Sequence, residues 1–297
     1  MKKLYNIHKI NRMRAIAGII SCSLMFAFTF TTLILNVAQY YSGVVEKGLK
    51  TFRMFTTLSN IVLGLSSLLF IPFQIDGLRK GNFHLPRWIV TVMYMSVSLV
   101  GLTFITAVTA ISAVQGFYGA MVAGTGLFLH TINPILAIII FTLVNDFHHI
   151  KFKESFWALL PVFIYSVFYF ILAICIGEEN GGWRDHYNFN TFLPWYISIF
   201  IMYGLAFGVS QGLRALHNLR HKKTKEAIKN YYLNSEDFNV KNLEEAVKVL
   251  AKQDKRYYRE GNVEVPIIVF DTLRERFNDN TSNNVLGSTY INAILEE

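Results

Sequence analysis

The chain has 297 residues, 53% hydrophobic and only 16% charged, with a net charge of +8. Soluble domains carry about 25% charged residues, so this composition excludes a disordered, collagen-like or disulfide-rich secreted protein and argues against an ordinary cytosolic enzyme. The charge is unevenly spread: residues 1–219 hold fifteen basic and seven acidic side chains, and residues 220–297 hold thirteen of each. The whole positive excess therefore belongs to the apolar part of the chain.

Crossing a bilayer core about 30 Å thick takes about 20 apolar residues in a helix. Six stretches qualify, at 15–36, 54–73, 88–114, 124–144, 156–176 and 193–213, each without Lys, Arg, Asp or Glu in its middle. They read as helices because a helix satisfies its own backbone in lipid, and runs such as 135–141 lack the alternation of a transmembrane strand. Lys2, Lys3, Lys9, Arg12 and Arg14 precede the first span. Its apolar run is longer than a signal-peptide core, so it reads as an uncleaved helix. With the N-terminus inside, eleven basic residues fall on inner segments before the tail and four on outer loops. That bias predicts an integral, multi-pass cell-membrane protein with both termini cytoplasmic. The charge is explained by orientation and by contact with anionic lipid, without nucleic acid. The expected fold is thus an all-α membrane protein. Residues 1–14 form a cytosolic N-terminus, 15–213 a six-transmembrane-helix bundle and 214–297 a cytosolic tail.

Within the tail, residues 214–229 are basic and 242–252 have helical apolar spacing with Glu early and Lys late. Residues 263–270 read as a short edge strand containing Pro266, and 271–277 as a further helical turn or two. A small α+β or partly disordered tail is expected, with a structural or regulatory role and a cytosolic protein as its partner. Cys22 and Cys175 both lie in apolar spans and read as packing residues. No cofactor is implied. Asp146, His148 and His149 resemble a metal-ligand set, but their place beside Lys151 and Lys153 reads better as an interfacial polar cluster.

An ionisable residue inside a span is costly and marks a functional candidate. His130 is the one that stands well inside, about two turns into the fourth span. Thr56, Thr57, Ser59 and Asn60 cluster at the start of the second. Under the inside N-terminus, spans two and four both run from outside to inside, which places Thr57 and His130 at similar depth. Each is followed three positions on by an amide, Asn60 and Asn133, on the same helix face. Pro134 lacks an N–H and disturbs the turn before it. The outer loop 177–190 carries Glu178, Glu179, Asp185 and His186 and can cover a site on that face.

The segments Phe55-Thr56-Thr57-Leu58-Ser59-Asn60 and Leu129-His130-Thr131-Ile132-Asn133-Pro134 resemble those of the bacterial "Pr-six-Pr" membrane proteins. These are distantly similar to the androgen-induced and androgen-dependent TFPI-regulating proteins of animals. The resemblance covers about residues 10–215 and leaves the tail outside. It implies an intramembrane hydrolase of fatty-acid esters, with Thr57 as nucleophile and His130 as base; the neighbouring Thr56 is an open alternative. Neutral imidazole suits the removal of a hydroxyl proton, and Asn60 or Asn133 would donate to the oxyanion or orient the ring. No acidic third partner for His130 is evident within the spans. Two other classes stay open. One is a small-molecule or lipid carrier with His130 as its proton or ligand site. The other is a structural or sensory membrane protein acting through its tail.

Overall fold

The computed structural model of the chain describes residues 2–38, 48–80, 85–144, 149–187, 189, 194–233, 257–260 and 263–266. Helix α1 is Lys2–Val37, and a 3₁₀ turn, Gly48–Arg53, leads into α2, Phe55–Lys80. Helix α3, Arg87–Thr106, passes through a π-helical turn, Ala107–Ile111, into α4, Ser112–Met121. A second π-helical segment, Leu127–Ile132, leads into α5, Asn133–Ile139, and a third, Ile140–Val144, follows it. Helix α6 is Ser155–Tyr169 with a π-helical end, Phe170–Ile176, and α7 is Trp195–Leu233. Two strands, β1 (Tyr257–Glu260) and β2 (Val263–Pro266), complete the described chain.

Five helical stretches are long and apolar enough to cross a membrane: Arg12–Val37, Phe55–Arg79, Arg87–Ile111, Phe152–Ile176 and Trp195–Lys223. This fits a polytopic membrane protein. The fourth expected span differs: among the described residues it is the shorter apolar helix Leu127–Thr142, about 24 Å long at 1.5 Å per residue. Among the described residues, five of the expected spans fall on helices long enough to cross a membrane, and the fourth falls on a helix shorter than these. Gly124 is held at φ +54°, a left-handed conformation that glycine adopts without a Cβ penalty, and the helix begins only after it.

The chain divides into two units, one comprising Met1–Ile16, Pro72–Leu85 and Leu219–Glu297, the other Ala17–Ile71 and Pro86–Asn218. In the first, β1 and β2 pair antiparallel, with Tyr257 opposite Pro266 and Glu260 opposite Val263. Each strand of a two-stranded ribbon is an edge, where proline is tolerated. The expected strand over 263–270 is seen as Val263–Pro266, and residues 267–270 lie outside the described residues. So do the expected helices at 242–252 and 271–277. The basic stretch 214–229 is helical as part of α7, in keeping with its Leu, Ala, Arg and Lys content.

The second unit is built as lipid dictates. Large apolar side chains such as Ile34, Phe163 and Phe200 point outward, while Thr29, Asn60, Ser96, Thr103, Asn133 and Ser210 are buried. Lipid tails are as apolar as leucine, so packing and interhelical hydrogen bonds hold such bundles together. Helix α3 is the most enclosed of the five spans and packs on α5 and α6. At Gly101 a Cβ would come within 2.9 Å of Val209 Cγ1, which brings α7 close, and Tyr94 donates a hydrogen bond to the Ser210 carbonyl across the same seam at 2.7 Å. Cys22 is buried, in keeping with a packing role, whereas Cys175 is exposed.

Candidate functional site

The site is a chain of polar side chains within the second unit, built on α1, α2 and the fourth apolar helix. His130 lies in the π-helical segment Leu127–Ile132, directly before α5. Pro134 has no N–H to return to the His130 carbonyl, and its ring crowds that carbonyl; a wider turn relieves both effects. The Asn133 N–H accordingly reaches back five residues, to the Phe128 carbonyl.

The two ring nitrogens of His130 have different partners. Nδ1 is 2.6 Å from the Ala120 carbonyl oxygen, and Nε2 is 3.3 Å from Thr56 Oγ1. A carbonyl only accepts, so Nδ1 carries the proton and Nε2 presents its lone pair to the Thr56 hydroxyl. That is the tautomer a general base needs. The end of α4 supplies the carbonyl. The last carbonyls of a helix have no partner within it; here His130 takes that of Ala120, and Thr131 Oγ1 takes that of Met121 at 2.7 Å. Ala120 and Met121 are held by apolar packing with Ala107, against Phe104 and Ile111. The missing acidic partner of His130 is thus replaced by a main-chain carbonyl, which no side-chain motif can announce.

Gly126, one turn before His130, makes this approach possible. A Cβ there would come within 2.8 Å of the Ala120 oxygen. Gly126→Ala is therefore expected to displace the carbonyl from Nδ1. ¹⁵N-histidine NMR should then show the His130 Nδ1–H tautomer losing its dominance, and an unchanged tautomer in the variant would refute this role for Gly126.

The two threonines separate. Thr56 and Thr57 are both buried, but successive residues point about 100° apart around a helix. Thr56 faces His130, whereas Thr57 Oγ1 lies 3.4 Å from Thr51 Oγ1 in the 3₁₀ turn before α2. The structure thus joins His130 to the neighbour that the sequence left open.

One turn deeper, both amides are fully buried. Asn60 Nδ2 donates to the Thr56 carbonyl at 2.9 Å and to the Leu129 carbonyl at 3.0 Å. Asn133 Nδ2 donates to Thr29 Oγ1 and to Asn60 Oδ1, each at 3.0 Å. Both hydrogens of each amide are thereby engaged, so Asn60 and Asn133 tie the three helices together and set the depth of Thr56 against His130. Ser59 shares a 2.9 Å hydrogen bond with Thr103 of α3. Thr29 and Thr103 lie in apolar spans without a distinguishing motif, and their part emerges only from packing.

Residues at the end of α6 and in the segment after it close over the start of α2. Tyr187 accepts a hydrogen bond from the Phe55 N–H at 2.9 Å, and Tyr165 donates to the Arg53 carbonyl at 2.8 Å. Asp185 Oδ1 accepts from the Tyr169 hydroxyl at 2.6 Å and from the Phe189 N–H at 3.1 Å. Burial pushes the Tyr187 phenol up to about 12, so it remains a neutral cap across physiological pH. Glu178 and Glu179 lie in an exposed 3₁₀ turn. Tyr187→Phe removes an acceptor from an otherwise orphaned helix N–H, and is expected to cost about 1 kcal/mol. Thermal unfolding in detergent measures this; an unchanged midpoint would show that the cap contributes nothing. Asp146 and His148, from the resembling ligand set, lie outside the described residues.

Comparison with protein families, with curated proteins and with solved structures returned no match.

Proposed function

We propose that the chain is a six-span membrane protein of the cell membrane, its fourth span short, with both termini cytoplasmic. We further propose that Thr56 and His130 form the reacting pair of an intramembrane hydrolase of lipid esters. The observation that carries this reading is the polarised imidazole: Nδ1–H held by the Ala120 carbonyl, Nε2 directed at the Thr56 hydroxyl. The excess of basic residues on the inner segments supports the orientation. The resemblance carried by residues 55–60 and 129–134 supports the substrate class.

In the proposed reaction Nε2 takes the Thr56 hydroxyl proton as Oγ1 attacks the ester carbonyl carbon. The tetrahedral intermediate collapses with cleavage of the ester C–O bond, and the leaving alkoxide takes the proton from Nε2. Water then gives a proton to Nε2 and attacks the acyl group on Thr56. The Thr56 Oγ1–acyl bond breaks, Oγ1 regains the proton and a fatty acid leaves. Asn60 and Asn133 act here as positioning residues. Hydrolysis of a long-chain ester by purified protein, with Thr56 or His130 replaced by Ala, tests this reading.

A further inference from the structure

A shallow groove of about 580 Å³ lies along the exposed face of α6 and the turn before it, with Tyr203 of α7 at one side; Lys153, Phe156, Trp157, Leu160 and Phe163 are among its lining residues. Phe156, Trp157 and Phe163 are each more than half exposed, in a stretch long and apolar enough to cross a membrane. Three features describe what fits it. First, its walls are apolar and aromatic, while a cation stands at one end. The carboxylate nearest in sequence, Glu154, is already engaged by Arg87 Nε at 2.7 Å and by the Lys151 N–H at 2.6 Å. Arg214 adds a second cation near that end, its guanidinium 5.5 Å from the Phe152 ring centroid. Second, Lys153 to Phe163 is ten residues, about 15 Å of helix, which is half of an apolar core about 30 Å thick. Third, three residues beyond Phe163 the seam between α6 and α7 is tied shut by a 2.6 Å hydrogen bond between Ser166 and Tyr203. With Phe152–Ile176 as a membrane span, the groove would start at a basic interface and end near the bilayer midplane.

We propose that this groove holds one acyl chain of an anionic phospholipid from the leaflet beside Lys153, with the lipid phosphate on the Lys153 ammonium. The proposal rests on the membrane reading and is independent of the hydrolase reading. One cation near an anionic lipid surface contributes about 1 kcal/mol, equivalent to about fivefold in affinity.

Trp157 lines the groove and serves as its reporter. The chain has four tryptophans, so Trp88→Phe, Trp183→Phe and Trp195→Phe leave Trp157 alone. The full-length protein is reconstituted in phosphatidylcholine bilayers containing brominated phosphatidylglycerol or brominated phosphatidylcholine. The expected result is quenching of Trp157 with at least about fivefold preference for the brominated phosphatidylglycerol, cut about fivefold by Lys153→Gln. Three outcomes would overturn the proposal: parity with Lys153 in place, a preference undiminished by Lys153→Gln, or no quenching by either lipid, which would mean that protein covers the groove. Should the triple Phe variant fail to fold, native mass spectrometry of the unsubstituted protein replaces it. Retained phosphatidylglycerol that is lost in Lys153→Gln supports the proposal, and equal retention in both overturns it.

Discussion

Replacing His130 by Ala is expected to lower kcat/KM for a long-chain ester by about 10²- to 10⁴-fold, the range contributed by a positioned general base. Thr56→Ala should lower it at least as far, because it removes the oxygen that attacks. Thr56→Ser keeps a hydroxyl and should retain measurable turnover. Thr57→Ala is the informative contrast. Its hydroxyl faces Thr51 and not the imidazole, so turnover should stay within about threefold of the parent, a change below about 1 kcal/mol. Unchanged turnover in both His130→Ala and Thr56→Ala would sink the hydrolase reading. Loss in Thr57→Ala with retention in Thr56→Ala would move the nucleophile to Thr57. Thermal midpoints of the same proteins separate a chemical loss from a folding defect.

The second large effect concerns stability. Asn60→Ala removes three hydrogen bonds at once: to the Thr56 carbonyl, to the Leu129 carbonyl and from Asn133 Nδ2. All lie in the interior of the bundle, where Asn60 and Asn133 are fully buried. Interhelical hydrogen bonds in membranes average only about 0.6 kcal/mol each, because the unfolded chain in lipid also finds partners. An orphaned buried group costs about 1–3 kcal/mol. Together these point to a loss of about 2 kcal/mol, read from unfolding in mixed micelles. A loss below about 0.5 kcal/mol would show that the amide network does not hold the helices together. Asn133→Ala should be strongly non-additive with Asn60→Ala, since the two share a bond.

His130 was legible in the sequence because an ionisable side chain in an apolar run has few structural excuses. The start of α2 was legible as a polar cluster, but its register was not. The spacing Thr57 to Asn60 and the spacing Thr56 to Asn60 both fit one helix face, and only the rotation of α2 against the apolar helix Leu127–Thr142 selects Thr56. Ala120 was invisible for a different reason. Its contribution is a main-chain carbonyl freed by the end of α4, and the sequence carries no marker for a carbonyl that happens to face an imidazole ten residues on. Gly126 carried a faint sign, a residue without a side chain one turn before the histidine.

The sequence by itself determined the class of the protein, its apolar helices and the placement of its charge. These follow from hydropathy and from the requirement that each backbone satisfy itself in lipid, both local properties of the chain. The tertiary structure decided that the fourth apolar stretch forms a shorter helix, which hydroxyl meets His130 and which nitrogen bears its proton. Those depend on how far each helix extends and how it turns against its neighbours. Polar contacts across helices set that rotation, and such contacts join residues distant in sequence: Asn60 with Asn133, Thr29 with Asn133, His130 with Thr56.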